Sequence, residues 1–362
     1  MRYLYIMIAA LSVMMAPQTS AQTTQRLSAT KINEYGLIYS LPSTVIDVTL
    51  ETELTVETPG EFYLYAEKYL GITPIVKESK SYRLVSATIS SHGEPTDSLR
   101  YLVQFKSGSA PFMLVNDNNF PLTVNTEEVA TTTVVELPVA KEMEPSILEL
   151  PVANQAVTAE MLQSGSPAKR AQLAAERIMQ LRAMRSDILS GEAENMPSDG
   201  VAMQLVLDNI AAQEEALTAM FIGTRQQSTQ VETFSIVPPL EAEASQNIVI
   251  CRLSQLSGLV DADNLSGTPI YITFNITSKG ELPVNEKGEM KRFPKGGLAY
   301  RIPGKATVSV YDGTKCIASQ AVDVAQYGVV FGIDPAIFTD KKAPAYAVFN
   351  PVTGAIVEIG TK

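Results

Sequence analysis

Tryptophan is absent, histidine occurs once and cysteine twice along the 362 residues of this chain. The lone histidine confines imidazole chemistry to one place. His92 lies beside Gly93 in a polar stretch. No serine sits in a G-x-S-x-G elbow, and neither an H-E-x-x-H nor a G-x-x-x-x-G-K pattern occurs. His92 is therefore read as a solvated loop residue. The two cysteines, Cys251 and Cys316, are far apart, form no C-x-x-C pair and have no metal-ligand spacing. In an oxidising compartment they either form one bridge or remain two buried thiols, and the sequence leaves both open.

Basic residues are outnumbered. Lysine and arginine total 28 against 39 acidic side chains, for a net charge of −11. Nucleic acid is excluded as a partner, and anionic membranes are disfavoured, because both need a basic footprint. Long apolar runs are scarce too. One run, Tyr3 to Met15, follows Arg2 and precedes the small residues Ser20 and Ala21. This reads as a signal peptide over residues 1–21, too short to span a membrane. No cysteine follows it, so a lipoprotein route is not indicated. The expectation is an exported protein of the periplasm or cell surface, without a transmembrane anchor, soluble or peripherally attached.

What the chain does hold is organised around Ser166–Thr224. Ser166 is a candidate N-cap and Pro167 stands at the first helical position, where its missing N–H costs nothing. Ala171, Ala174, Ile178, Leu181, Arg185 and Ile188 recur at threes and fours, and Gly191 offers a left-handed C-cap. After a short polar loop, Ser198 or Asp199 can cap a second helix. That helix carries Met203, Val206, Leu207, Ile210, Leu217 and Phe221 on one stripe and ends at Gly223. A short loop between two such helices predicts an antiparallel hairpin over 166–224. Its stripes are expected to pack on each other and on a neighbouring sheet.

The flanks read as strand. From Pro42, Ile46, Val48, Leu50, Thr52, Leu54 and Val56 fall on one face, with Asp47, Thr49, Glu51, Glu53 and Thr55 on the other. A short helix closed by Gly71 follows, its Phe62, Tyr65 and Tyr69 expected to pack onto the sheet. Tyr63 lies off that face, and an aromatic platform for sugars is the competing reading of the cluster. Two strands joined by a turn at Gly93–Asp97 come next, then extended pieces around the Asn116–Asn119 turn. These make an N-terminal β-rich domain over 35–140. Residues 141–165, with Pro145 and Pro151, form a connector of short pieces. From 231 to 362, short strands recur at regular intervals, with hairpin-type turns at Asp312-Gly313 and Asn350–Gly354. LAYRIP, KATVSVYDG, TKCIASQAVDVAQ and YGVVFGI are counted as separate strands, and the pattern favours a β-sandwich or a partly closed barrel. The fold class is thus mainly β with an inserted helical hairpin (α+β) and a β-sandwich-like C-terminal domain.

Chemistry is thinly signalled. Paired carboxylates serve glycosidases without any histidine, but Glu51/Glu53, Glu214/Glu215 and Asp261/Asp263 look no different from surface charge. Asp261–Asn264 opens like a calcium loop, yet the glycine and terminal glutamate of the helix-loop-helix motif do not follow. No catalytic, cofactor-binding or metal residue is assigned, and no cofactor is implied.

Three stretches carry a family resemblance: Tyr39–Ile72, the helical Leu181–Gly223, and a late group made of RIPGKATVSVYDG, QYGVVFGIDPAIF and FNPVTGAIVEI. Together they resemble a family of secreted Bacteroidetes proteins defined as a domain of unknown function, DUF4831. The resemblance implies an exported Gram-negative envelope protein and carries no activity or site. The leading reading is a non-catalytic structural, adhesion or interaction role, with other envelope proteins as partners. The alternative is a carbohydrate-binding or glycan-handling accessory, and a carboxylate-based hydrolase stands third.

Overall fold

The computed structural model describes residues 37–103, 112–131, 135–194, 200–240, 247–294, 296–340 and 342–361. The signal-peptide segment and the Ser198/Asp199 caps lie outside them. Twelve strands and five helices follow in chain order among these residues. The first half holds β1 (Leu37–Thr58), a 3-10 turn at Tyr63–Tyr65 leading into α1 (Ala66–Leu70), β2 (Ser79–Val103), β3 (Met113–Val115) and β4 (Pro121–Val124). Four helices come next: α2 (Pro151–Ala156), α3 (Ala159–Gln163), α4 (Pro167–Ser190) and α5 (Gly200–Ile222). The remainder is β5 (Thr224–Ile236), β6 (Ile248–Ser254), β7 (Gly258–Val260), β8 (Thr268–Ser278), β9 (Leu298–Asp312), β10 (Lys315–Ile333), β11 (Ala345–Phe349) and β12 (Ile356–Thr361).

The strands form three sheets, ordered β2-β1-β5, β10-β9-β8-β6-β7 and β12-β11-β4-β3. The first two make a sandwich. Ile46, Val48 and Leu50 of β1, with Ile89 of β2, interlock with Ile270, Ile272 and Phe274 of β8 and with Val308 and Val310 of β9. The predicted alternation of β1 is what builds this layer, since every second side chain points to the same face. The other face carries cross-strand polar pairs. Thr49 meets Thr233 at 2.9 Å, Ser86 donates to Glu51 at 2.7 Å, and Arg83 grips Glu53 through two bonds of 2.7 and 3.0 Å. The third sheet closes one end, where Tyr39 and Leu41 share a core with Val124, Phe338, Ala347 and Phe349. There β4 pairs with β11, so strands from opposite flanks of the helices share a sheet.

The helices keep a core of their own. Ala171, Ala174, Ile178 and Leu181 of α4 pack with Ile210, Leu217 and Phe221 of α5, and with Phe62, Ala66, Ala156 and Met161. Pro167 opens α4 after Ser166, whose backbone is extended but whose hydroxyl makes no capping bond; Gly191 closes it at φ 78°. Two expectations are corrected here. The stripes of the hairpin, and the Phe62, Tyr65 and Tyr69 face, pack against helices and not against a sheet, because no strand residue enters this cluster. The cause is local geometry, since Gly60 and Phe62 lie against Met220 in the last turn of α5 and α1 lies against α4. Val206, expected on the stripe, is exposed.

Three further boundaries differ. The turn expected at Gly93–Asp97 is absent, and β2 runs through it as one strand beside β1. Residues 96–99 are absorbed as an irregularity between the Ser40–Arg100 and Pro42–Pro95 pairs. The long ladder on β1 overrides the local turn signals. Likewise LAYRIP and KATVSVYDG are one strand, β9, and TKCIASQAVDVAQ and YGVVFGI are one strand, β10, with a register shift between Val324 and Val329. Gly304 and Gly328 sit at that shift, where a Cβ on either would collide with the backbone of the other strand. These glycines mark close approach, not strand ends.

Candidate functional site: a polar cleft along the edge of β5

Where β5 leaves α5, four elements surround a cleft of about 600 Å3. Arg182 and Arg185 come from α4, Glu214, Glu215 and Thr218 from α5, Thr224–Gln227 from β5, and Lys141–Ile147 from the segment that crosses toward α2. No aromatic ring lines it. Most of its charges are already matched. Arg182 Nε lies 2.6 Å from Glu214, Lys141 Nζ 2.9 Å from Glu144, and Arg225 Nη2 2.6 Å from Glu57 on β1. The hydrogen bond from Lys141 holds the Glu144 carboxyl below its ordinary pKa, and the bond from Arg225 does the same for Glu57. Among the described residues, Arg185 and Glu215 have no ion pair.

The backbone of β5 adds a second feature. Thr229 exchanges both of its peptide hydrogen bonds with Lys141, at 2.9 and 3.2 Å, in an antiparallel bridge. In an antiparallel pair, peptide groups face one side on alternate residues. Thr229 therefore turns away from β1, and so do Gln227 and Arg225. Counting forward from Lys141 along this crossing segment, the strap, Met143 stands opposite Gln227 without a backbone bond to it, and Pro145 stands opposite Arg225. Proline has no N–H to donate. The strap lifts off, its Glu144 carbonyl held instead by the Gln226 side chain at 2.9 Å. The outward peptide groups of Arg225 and Gln227 have no backbone partner among the described residues.

The candidate residues singled out from the sequence separate into different settings. His92 is not in a loop. It lies on β2 with Nδ1 2.6 Å from Asp47 Oδ2 and Nε2 3.6 Å from Glu94. Ser235 donates to the other oxygen of Asp47 at 2.6 Å. The carboxylate thus stands between serine and imidazole, the wrong order for a serine activated by histidine. Glu51 and Glu53 share one face, each tied to a β2 side chain. Glu214 and Glu215 both line the cleft, but Glu214 is committed to Arg182. Asp261 and Asp263 fall in a turn after β7, where the Asp261 carbonyl accepts from Asn264 N–H at 3.0 Å. Among the described residues no three His, Cys, Asp or Glu side chains converge as metal ligands.

Both cysteines are free thiols, Cys251 buried and Cys316 exposed. With β8 and β9 lying between their strands, the separation is roughly 14 Å at the usual strand spacing, which no disulfide spans. Tyr65 and Tyr69 belong to the helical core. Another pair was not foreseen: Tyr271 and Tyr311, directly opposite on β8 and β9, stack with centroids 5.1 Å apart at 11°. No sequence signal joined them, since their register depends on the pairing of distant strands. The cleft was equally hidden, its strap having read as a plain connector. No helix among the described residues is long and apolar enough to cross a membrane.

A family model described as "Domain of unknown function (DUF4831)" matches residues 35–357. No curated protein and no solved structure matches the chain.

Proposed function

Because the chain belongs to the DUF4831 family, whose description assigns no activity, we propose that it is an exported, non-catalytic interaction protein of the Gram-negative cell envelope. The leader-like residues 1–21 and the secreted family resemblance support the compartment. The observation that carries the interaction reading is the state of the charges in the cleft. Arg182, Lys141 and Arg225 each neutralise a carboxylate at 2.6–2.9 Å. The Glu144 and Glu57 carboxyls are held below the ordinary carboxylate range by these bonds, which suits recognition of a partner and does not suit a general acid, whose pKa must rise. The test is fractionation of the native host with chemical crosslinking of the mature chain. A stable envelope complex is the expected result. Turnover of an envelope glycan or ester by the purified chain, lost in Glu214→Gln or Glu215→Gln, would replace this reading with the hydrolase.

One observation favours a second reading, the glycan-handling accessory. Tyr271 and Tyr311 stand on the outer face of the five-stranded sheet near the hydrogen-bonded Ser309 and Ser319. Aromatic faces ringed by hydroxyls suit sugars, although each ring spends one face on the other. In a chain without tryptophan, tyrosine fluorescence titrated with envelope oligosaccharides reads this directly. A response abolished by Tyr311→Ala supports it, and a flat titration removes it.

A further inference from the structure

We infer that the open edge of β5 at Arg225 and Gln227 is a docking site for an extended peptide segment of a partner protein, added as one more antiparallel strand. The inference rests on the interaction-protein reading and gives it a surface and a partner chemistry.

Three observations converge. The edge already takes one antiparallel bridge, in which Lys141 of the strap pairs with Thr229 through two backbone bonds. The ladder stops after that single bridge: Met143, next in register with Gln227, makes no backbone bond to it among the described residues, and Pro145, in register with Arg225, has no N–H with which to resume it. And the vacated edge is exposed at Arg225 and Gln227. It opens into a cleft of about 600 Å3, within the range of built binding pockets. Strand addition draws its affinity from main-chain hydrogen bonds and its specificity from alternate side chains. The walls supply that specificity. Arg185 and Glu215 are the cleft charges that no ion pair satisfies among the described residues, whereas Arg182 and Glu214 satisfy each other. A fitting segment is therefore extended, free of proline where it meets Arg225 and Gln227, and carries one acidic and one basic side chain. The absence of aromatic rings from the lining argues against an anchor of the aromatic-pocket kind.

The test uses the full mature chain and two end-blocked synthetic peptides of alternating valine and threonine. One carries a single glutamate and a single lysine; the other carries serine in both places. Hydrogen exchange at the Arg225 and Gln227 amides is expected to slow when either peptide binds, while the Ser228 amide, which faces β1, stays protected throughout. Gln227→Pro removes an outward N–H without touching the backbone ladder to β1, though it also removes the Gln227 side-chain bonds to Glu53 and Thr55, and weakens both peptides roughly tenfold, the worth of a lost hydrogen bond or two. Arg185→Glu, on an exposed helix position, weakens the charged peptide and leaves the serine peptide unchanged; it serves as the folded variant should the proline disturb β5. Unchanged exchange at Arg225 and Gln227 on saturation with peptide overturns the inference. In cells, a photocrosslinker at Gln227 is expected to capture the partner that whole-chain crosslinking finds. If whole-chain crosslinking yields a partner and the Gln227 position does not, the edge is wrong and the interaction reading survives. If neither yields a partner and the chain turns over substrate, both fall.

Discussion

The Phe62 amide donates to the Met220 carbonyl at 2.7 Å, pinning the loop after β1 to the last turn of α5. The two lie close because Gly60, next to that contact, lacks a side chain. A Cβ there would overlap the Met220 and Ala219 carbonyls. Gly60→Ala should therefore destabilise the fold by about 2–3 kcal/mol, the usual cost of forcing atoms into packed backbone. Gly165→Ala, where a Cβ meets nothing within 4 Å, should stay within about 0.5 kcal/mol. Urea melts of the two variants check the contrast, and equal midpoints would refute the clamp.

The helical core predicts its own sensitivity. Phe221 is fully buried and packs on Phe62 with centroids 5.4 Å apart. Phe221→Ala should cost about 3–5 kcal/mol through lost transfer energy and the cavity left behind. The loss should appear first as amide exchange in α4 and α5, because that core contains no strand residue. Simultaneous, equal loosening of β8 and β9 would contradict a separate helical core.

Acid should weaken the outer face of the three-stranded sheet. The hydrogen bond from Arg83 holds Glu53 below the ordinary carboxylate pKa, and the bond from Arg225 holds Glu57 there. A carboxyl depressed in the folded state contributes fully above its unfolded pKa, about 4.3 for glutamate. That contribution disappears as pH falls through the folded value. Both pairs are surface pairs, so the effect is small and salt-sensitive. Comparing the wild type with Glu53→Gln/Glu57→Gln, the urea midpoint of the wild type should fall more between about pH 7 and about pH 3. Parallel curves would remove these pairs from the account.

The thiols should differ sharply. Burial, with a smaller push from the Glu232 carboxylate, raises the Cys251 thiol to about 12, while Cys316 is exposed. A thiol reagent should label one cysteine in the native protein and both after unfolding, since the thiolate is the reactive form. Non-reducing mass spectrometry should find no internal bridge. A native protein two hydrogen atoms lighter than its reduced form would overturn the separation of these strands.

Much of the secondary structure was legible from residue spacing alone. The stripe from Ala171 to Ile188, bounded by Pro167 and Gly191, specified α4, because caps and a 3.6-residue period are properties of a single segment. The alternation from Ile46 to Val56 likewise fixed which face of β1 is apolar. What lay beyond reach were relations between segments. That Val124 pairs with Ala347, that Tyr271 faces Tyr311, and that β9 and β10 run unbroken past Gly304 and Gly328 all depend on long-range register, which no local pattern encodes. The same holds for the helices around which the chain is organised. Their apolar stripes announced burial but not against what, and packing chose α1 to α3 over a sheet. The cleft belongs to this second class. Pro145 is visible in the sequence as a breaker; only the tertiary pairing of Lys141 with Thr229 sets it opposite Arg225, beside an edge whose Gln227 and Arg225 peptide groups find no backbone partner among the described residues.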